Sequence, residues 1–196
     1  MLPWLMGFLG FGLYLLYDID SFTGLWKPLR LGFAAGTALI GASTLLQMVS
    51  AWRQGAFSGA GDFVLLALGL LSFAALIYCL FFALPFEATY TDPERGRRVY
   101  TCGAYALCRH PGILCFFAMY LFWGLAALPT GFLTCGMVFS ALNLAYAWFQ
   151  DRVTFPKTFC DYPDYRTKAP FLLPTAVSFR RAVKTWGYPY EKEEDL

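Results

Sequence analysis

The sequence predicts an all-α integral membrane protein, and three observations carry that prediction. Of the 196 residues, 58% are hydrophobic and only 14% charged, against about 25% charged in an ordinary soluble domain. Five apolar runs recur along the chain. None shows the period-2 alternation of a membrane barrel, and unpaired backbone amides are intolerable in lipid, so the spans are helical. The same composition excludes a disordered chain, a collagen and a disulfide-rich secreted scaffold. A net charge of +2 excludes an electrostatic nucleic-acid binder, which needs a dense basic face.

The runs are Leu2 to Tyr17, Leu31 to Trp52, Phe63 to Phe86, Ile113 to Leu128 and Gly131 to Phe149. A helix rises about 1.5 Å per residue and the hydrocarbon layer is about 30 Å thick, so the second and third runs span it. The first and fourth cover about 24 Å and call for local thinning, interfacial anchoring or shelter by neighbours. The first has no basic n-region and no small-residue cleavage signature, so it reads as a retained span. In the second, Gly36, Gly41 and Ser43 are small enough for helices to approach closely. Turn formers in Thr91-Asp92-Pro93-Glu94-Arg95-Gly96 mark a loop, and Leu128-Pro129-Thr130-Gly131 predicts a tight hairpin between the last two spans. Trp4, Trp26, Trp52, Trp123 and Trp148 lie near several run ends, where amphipathic rings favour the headgroup layer.

The basic residues set the orientation. With five spans and the N-terminus outside, every Lys and Arg except Arg53 falls in a cytoplasmic segment, as the positive-inside rule requires. The chain then divides into an N-terminal three-helix region with its loop (1–99), a core (100–174) and a cytoplasmic tail (175–196). The tail closes on the acidic Glu191-Lys192-Glu193-Glu194-Asp195-Leu196. Before it, Arg180, Arg181 and Lys184 lie near Phe179 and Trp186, which fits either a short helix on an anionic membrane surface or a plain solvated helix.

Two clusters carry candidate chemistry. Tyr100 to Leu114 brings Arg109, Pro111 and the only histidine, His110, to the cytoplasmic mouth of the fourth span. A helix beginning at Pro111 would offer free amides and partial positive charge to a carboxylate; an interfacial Arg-His pair contacting lipid phosphate is the other reading. The second cluster follows the fifth span: Gln150-Asp151-Arg152, Phe155, Phe159, Asp161 to Arg166, and Pro170-Phe171-Leu172-Leu173-Pro174. Because the hairpin is short, Asp151 returns to the face from which Arg109 departs. Residues 151, 155 and 159 share a helical face, subject to interruption by Pro156. The alternative for this cluster is an ordinary charged juxtamembrane segment. The six cysteines form no C-x-x-C pair and, with one histidine, no metal site is expected; they read as apolar packing residues.

Taken together, Gly-x-Tyr-x-x-x-Arg-His-Pro-Gly, the hairpin, the acidic turn, Tyr-x-x-Tyr-Arg and Pro-Phe-Leu-x-Pro resemble the isoprenylcysteine carboxyl methyltransferase and phospholipid methyltransferase superfamily. The resemblance covers Tyr100 to Pro174. It implies S-adenosylmethionine bound on the cytoplasmic side and a lipophilic acceptor entering from the bilayer. On that likeness Tyr105, Arg109, His110, Pro111, Gly112, Ile113, Asp151, Tyr165 and Arg166 line the cofactor site, with Arg109, His110 and Asp151 as catalytic candidates. Tyr105, Tyr162 or Tyr165 would face the sulfonium, Arg109 or a helix N-terminus the carboxylate, and Asp151 the ribose hydroxyls and amine. Phe116, Phe117, Tyr120 and Phe139 would offer apolar surface to the acceptor. Arg109 and His110, at an interface rather than among the spans, would then be replaceable without unfolding.

The chain departs from the family pattern at Gln150-Asp151-Arg152, where a Glu-Glu pair is common, and at Ile113, Pro156 and Cys160. Two other functions share features with it. Sterol-reductase-like membrane enzymes carry a similar Arg-His-Pro segment and use NADPH, but continue Asn-Tyr where this chain has Gly112-Ile113. A non-catalytic protein binding lipid or a partner accounts for the missing Glu-Glu pair.

Overall fold

A computed structural model describes residues 1–24, 26–83 and 97–187, and all regular structure among them is helical. The loop at 91–96, the acidic tail at 191–196 and the end of the third apolar run lie outside the described residues. In order, the helices are α1 (Leu2–Thr23), α2 (Gly32–Arg53), α3 (Ala60–Ile77), α4 (Ala104–Leu107), α5 (Pro111–Ala126), α6 (Phe132–Phe149), α7 (Phe155–Thr158), α8 (Tyr162–Lys168) and α9 (Ala176–Lys184). A 3₁₀ turn at Lys27–Leu31 leads into α2, and wider π turns at Tyr78–Phe82 and Gln150–Thr154 extend α3 and α6.

Among the described residues, four helical segments are long and apolar enough to cross a membrane: Leu2–Thr23, Pro28–Arg53, Ala60–Phe82 and Phe132–Thr158. The first corrects the sequence reading. α1 has 22 residues, about 33 Å, and needs no thinning of the bilayer. Its extension past Tyr17 is possible because the acidic residues there are sheltered: Asp18 and Asp20 are buried, and Asp20 accepts the Trp26 N–H at 2.6 Å. Gly24, at φ 64°, ends the helix with its N–H on the Asp20 carbonyl, a left-handed position that favours glycine. α5, by contrast, is an apolar helix of only 16 residues, about 24 Å.

The chain forms two compact units, each discontinuous in sequence: Met1–Ser72 with Phe116–Gln150, and Phe73–Cys115 with Asp151–Leu196. In the first, α1 and α2 pack closely because neither has a side chain in the way. A Cβ on Gly36 would lie 2.7 Å from the Gly10 carbonyl oxygen, closer than any real contact. Ser43 is fully buried and donates to the Pro3 carbonyl at 2.7 Å, whereas Gly41 faces open space and serves no close approach. Gly131, at φ 81°, opens α6 after the Pro-Thr turn, and Gly124 leaves room for Leu133, so α5 and α6 form the expected hairpin. Phe11, Phe116, Tyr120, Phe132 and Phe139 fill this unit's core with tilted and edge-on ring contacts. Tyr120 and Phe139 are fully buried and Phe116 nearly so, which leaves only Phe117 of the four aromatics expected to face an acceptor substantially exposed. Tyr120 is held there by a hydrogen bond with Thr44.

The second unit carries short helices. Val99, Tyr162, Tyr165 and Ala169 make one cluster, backed by Phe155 and Phe159. Cys79, Ala83 and Ala104 make another, backed by Tyr105 and Cys115. The sequence was expected to break its helix at Pro156. The structure instead widens one turn before it, at Gln150–Thr154, and ends the helix at Phe159, whose backbone is extended. Proline has no N–H for the carbonyl four residues back and its ring crowds that carbonyl; a π turn relieves both.

Candidate functional site

The two sequence clusters meet inside the second unit, around one carboxylate. Asp151 sits on the π turn that precedes Pro156, 1% exposed. Its Oδ1 accepts Arg109 Nε–H at 2.7 Å and Tyr162 O–H at 2.6 Å. Its Oδ2 accepts Arg109 Nη2–H at 3.3 Å, and Arg166 Nε lies 3.7 Å away. This is a two-pronged, charge-assisted pairing closed between residues 42 apart in sequence. A carboxylate buried so deeply is tolerated only when its charge and lone pairs are met, and here they are.

Arg109 is equally committed. Beyond Asp151, its Nη1 donates to the carbonyls of Arg166 at 3.0 Å and Ala169 at 2.9 Å, and its backbone N–H donates to Pro170 at 2.9 Å. The guanidinium thus ties the end of α8 and the following strand-like segment to the start of α5. Phe171 lies 5.7 Å from its cationic carbon. Arg109 and His110 are therefore more deeply embedded than an interfacial position implies: their side chains are 10% and 6% exposed.

His110 is the exception to this mutual satisfaction. Its buried Nε2 has no hydrogen-bond partner among the described residues and lies 3.6 Å from Asp151 Oδ1. The ring stacks on Phe155 at 5.8 Å and 14° and meets Phe171 edge-on at 5.0 Å. An orphaned buried polar atom costs about 1–3 kcal/mol, so such an atom is a candidate contact for a ligand.

The tyrosines behave differently from the sequence expectation. Tyr162 and Tyr165 are buried, Tyr162 on Asp151 and Tyr165 donating to the Tyr105 carbonyl at 2.7 Å. Burial first, and then the Asp151 carboxylate, raise the Tyr162 phenol above its ordinary value; burial and neighbouring Tyr105 do the same for Tyr165. Both stay neutral donors. Tyr105 is half-buried and donates to the Cys79 carbonyl at 2.9 Å. Cys108, fully buried beside Arg109 in sequence, has its thiol pushed up to about 11 by burial. Pro111 is buried at the start of α5; Gly112, near Leu76 and Leu80, and Ile113, whose N–H bonds the His110 carbonyl at 3.1 Å, are half-buried.

Several supports had no sequence signal. The carbonyls that receive Arg109 are backbone groups, which any residue supplies. Asp161 accepts the Val99 N–H at 2.9 Å, and Thr185 accepts the buried Gly103 N–H at 3.0 Å from 82 residues away. Among the described residues no group of three or more His, Cys, Asp and Glu side chains is placed to hold a metal ion. No protein family, curated protein or solved structure matches this chain.

Proposed function

We propose that this protein is an integral membrane methyltransferase that uses S-adenosylmethionine and acts on a lipophilic acceptor. The observation that carries the proposal is the convergence of the Arg109-His110 segment and the Asp151 to Phe171 segment on one buried carboxylate, with His110 Nε2 facing it at 3.6 Å and making no hydrogen bond among the described residues. The residues fit the cofactor in part, and they redistribute the roles expected of them. Arg109 and Asp151 are spent on each other, so they are positioning residues. His110, the one-third-exposed Arg166, and the rings of Phe155 and Phe171 would hold the cofactor.

When bound, S-adenosylmethionine supplies an electrophilic methyl group on a sulfonium. Arg166 suits its carboxylate, and aromatic faces suit its cationic sulfur. The Arg109–Asp151–Tyr162 network fixes the rotamer of each neighbour, so that His110 is held in place rather than searching. An acceptor carboxylate or thiolate needs no proton removed; for an acceptor amine, His110 Nε2 is the group able to take the proton. The topology belongs to the same proposal: five crossings including the short α5, an external N-terminus and a cytoplasmic C-terminus.

The satisfaction of Arg109 and Asp151 by each other favours a second reading, a non-catalytic lipid-binding protein. Calorimetric titration of the purified protein with S-adenosylhomocysteine and then NADPH separates them. Heat with the first supports the methyltransferase, heat only with the second a reductase, and heat with neither the non-catalytic protein.

A further inference from the structure

We infer that α9 and the turn after it form an interfacial helix seated on anionic lipid headgroups. This goes beyond the proposed activity and rests only on the chain having membrane spans. α9 begins with a reciprocal cap, in which Thr175 accepts the Ser178 N–H at 3.1 Å and Ser178 Oγ accepts the Thr175 N–H at 2.9 Å. One face is packed: Ser178 and Ala182 are buried, and so is Thr185 just beyond. Thr185 holds the Gly103 amide, which docks α9 on α4.

The rest of the helix is divided by i, i+4 spacing into an apolar stripe and a basic one. Phe179 and Val183 are 59% and 61% exposed, as is Trp186 at 58%; Arg180 and Lys184 lie on the adjoining stripe and are exposed. Arg181 is drawn to the packed edge by donating to the Lys168 carbonyl at 2.7 Å. Water is a poor solvent for three large apolar side chains side by side, and a protein partner would need to cover them without covering the cations. A headgroup layer accommodates both, with rings at the acyl boundary and cations at phosphate level.

A second observation locates the stripe. The Trp186 ring stacks on Tyr78 at 6.0 Å and 9°. Tyr78 opens the π turn that completes the span Ala60–Phe82, and Phe81 and Phe82 beyond it are exposed. The apolar stripe of α9 is therefore continuous with a surface that a bilayer already covers. Charge complementarity selects anionic over neutral lipid.

The test uses the full chain in nanodiscs, with exposed Cys160 replaced by Ser and Val183→Cys carrying an environment-sensitive fluorophore. The expected result is blue-shifted emission in discs containing phosphatidylglycerol, quenched by doxyl-labelled lipid and protected from iodide. The shift should recede in pure phosphatidylcholine and in an R180E/K184E variant. Water-like, iodide-accessible emission in both lipids would overturn the inference. So would shielding from iodide without doxyl quenching, which means a protein covers the stripe, or equal shielding in both lipids, which removes the anionic preference. A parallel measurement with Phe179→Cys, on the same stripe and 59% exposed, keeps the test open if the first variant fails to fold.

Discussion

Asp151 gives the clearest single-residue predictions, because its charge is held by partners rather than by water. Arg109→Ala strands a carboxylate that is 1% exposed and should lower stability by about 3–5 kcal/mol, read as denaturant or thermal unfolding in detergent. Arg166→Ala touches the same carboxylate only at 3.7 Å from a partly exposed position, so it should change stability little while weakening S-adenosylhomocysteine binding. If both variants were equally destabilised, the division into positioning and binding residues would be wrong. Cys108 supplies a pH signature. Its folded thiol sits at about 11, above the ordinary value of about 8.5. Its contribution is fully present below pH about 8.5 and is lost as pH rises towards the folded value, because the unfolded chain gives up the proton first. Cys108→Ala should therefore melt with a weaker alkaline dependence than the parent protein.

Among the elements, the α1–α2 pair depends on backbone proximity. Gly36→Ala places a Cβ 2.7 Å from the Gly10 carbonyl, where no flexible side chain can yield, and should cost about 1–3 kcal/mol. Gly41→Ala on the same helix meets nothing within 4 Å and serves as the control. Thermal unfolding of the two variants side by side decides it; equal melting temperatures would mean the helices separate without penalty. Between α4 and α9 one link is a buried hydrogen bond, from the Gly103 amide to Thr185. Thr185→Val leaves the Gly103 amide without its acceptor, so α4 and α9 should exchange amide protons faster than in the parent protein.

For the whole molecule the decisive quantity is sidedness. Five crossings put positions 57 and 190 on opposite faces, and impermeant maleimide should label single cysteines there from opposite sides of sealed vesicles. Four crossings, with α5 not traversing, would put both on one face. With radiolabelled S-adenosylmethionine and native membranes, the label should partition into the organic phase, because an apolar chain contributes about 0.8 kcal/mol per buried methylene. Label on a water-soluble product would contradict a lipophilic acceptor.

Sequence alone determined the membrane class, the helical architecture, the α5–α6 hairpin and the regions from which the buried cluster is drawn. These follow from composition, run length and turn chemistry, all of which are local. It underestimated α1, because apolar run length counts Asp18 and Asp20 as an end, while a folded neighbourhood can bury acidic groups once partners such as the Trp26 amide are present. Only the tertiary structure decided that Arg109 and Asp151 are consumed by each other, that Tyr162 and Tyr165 are core groups, and that the buried His110 Nε2 makes no hydrogen bond among the described residues. The reason is physical: an arginine's partners here are one distant carboxylate and three backbone carbonyls, and backbone carbonyls carry no residue identity for a sequence to display.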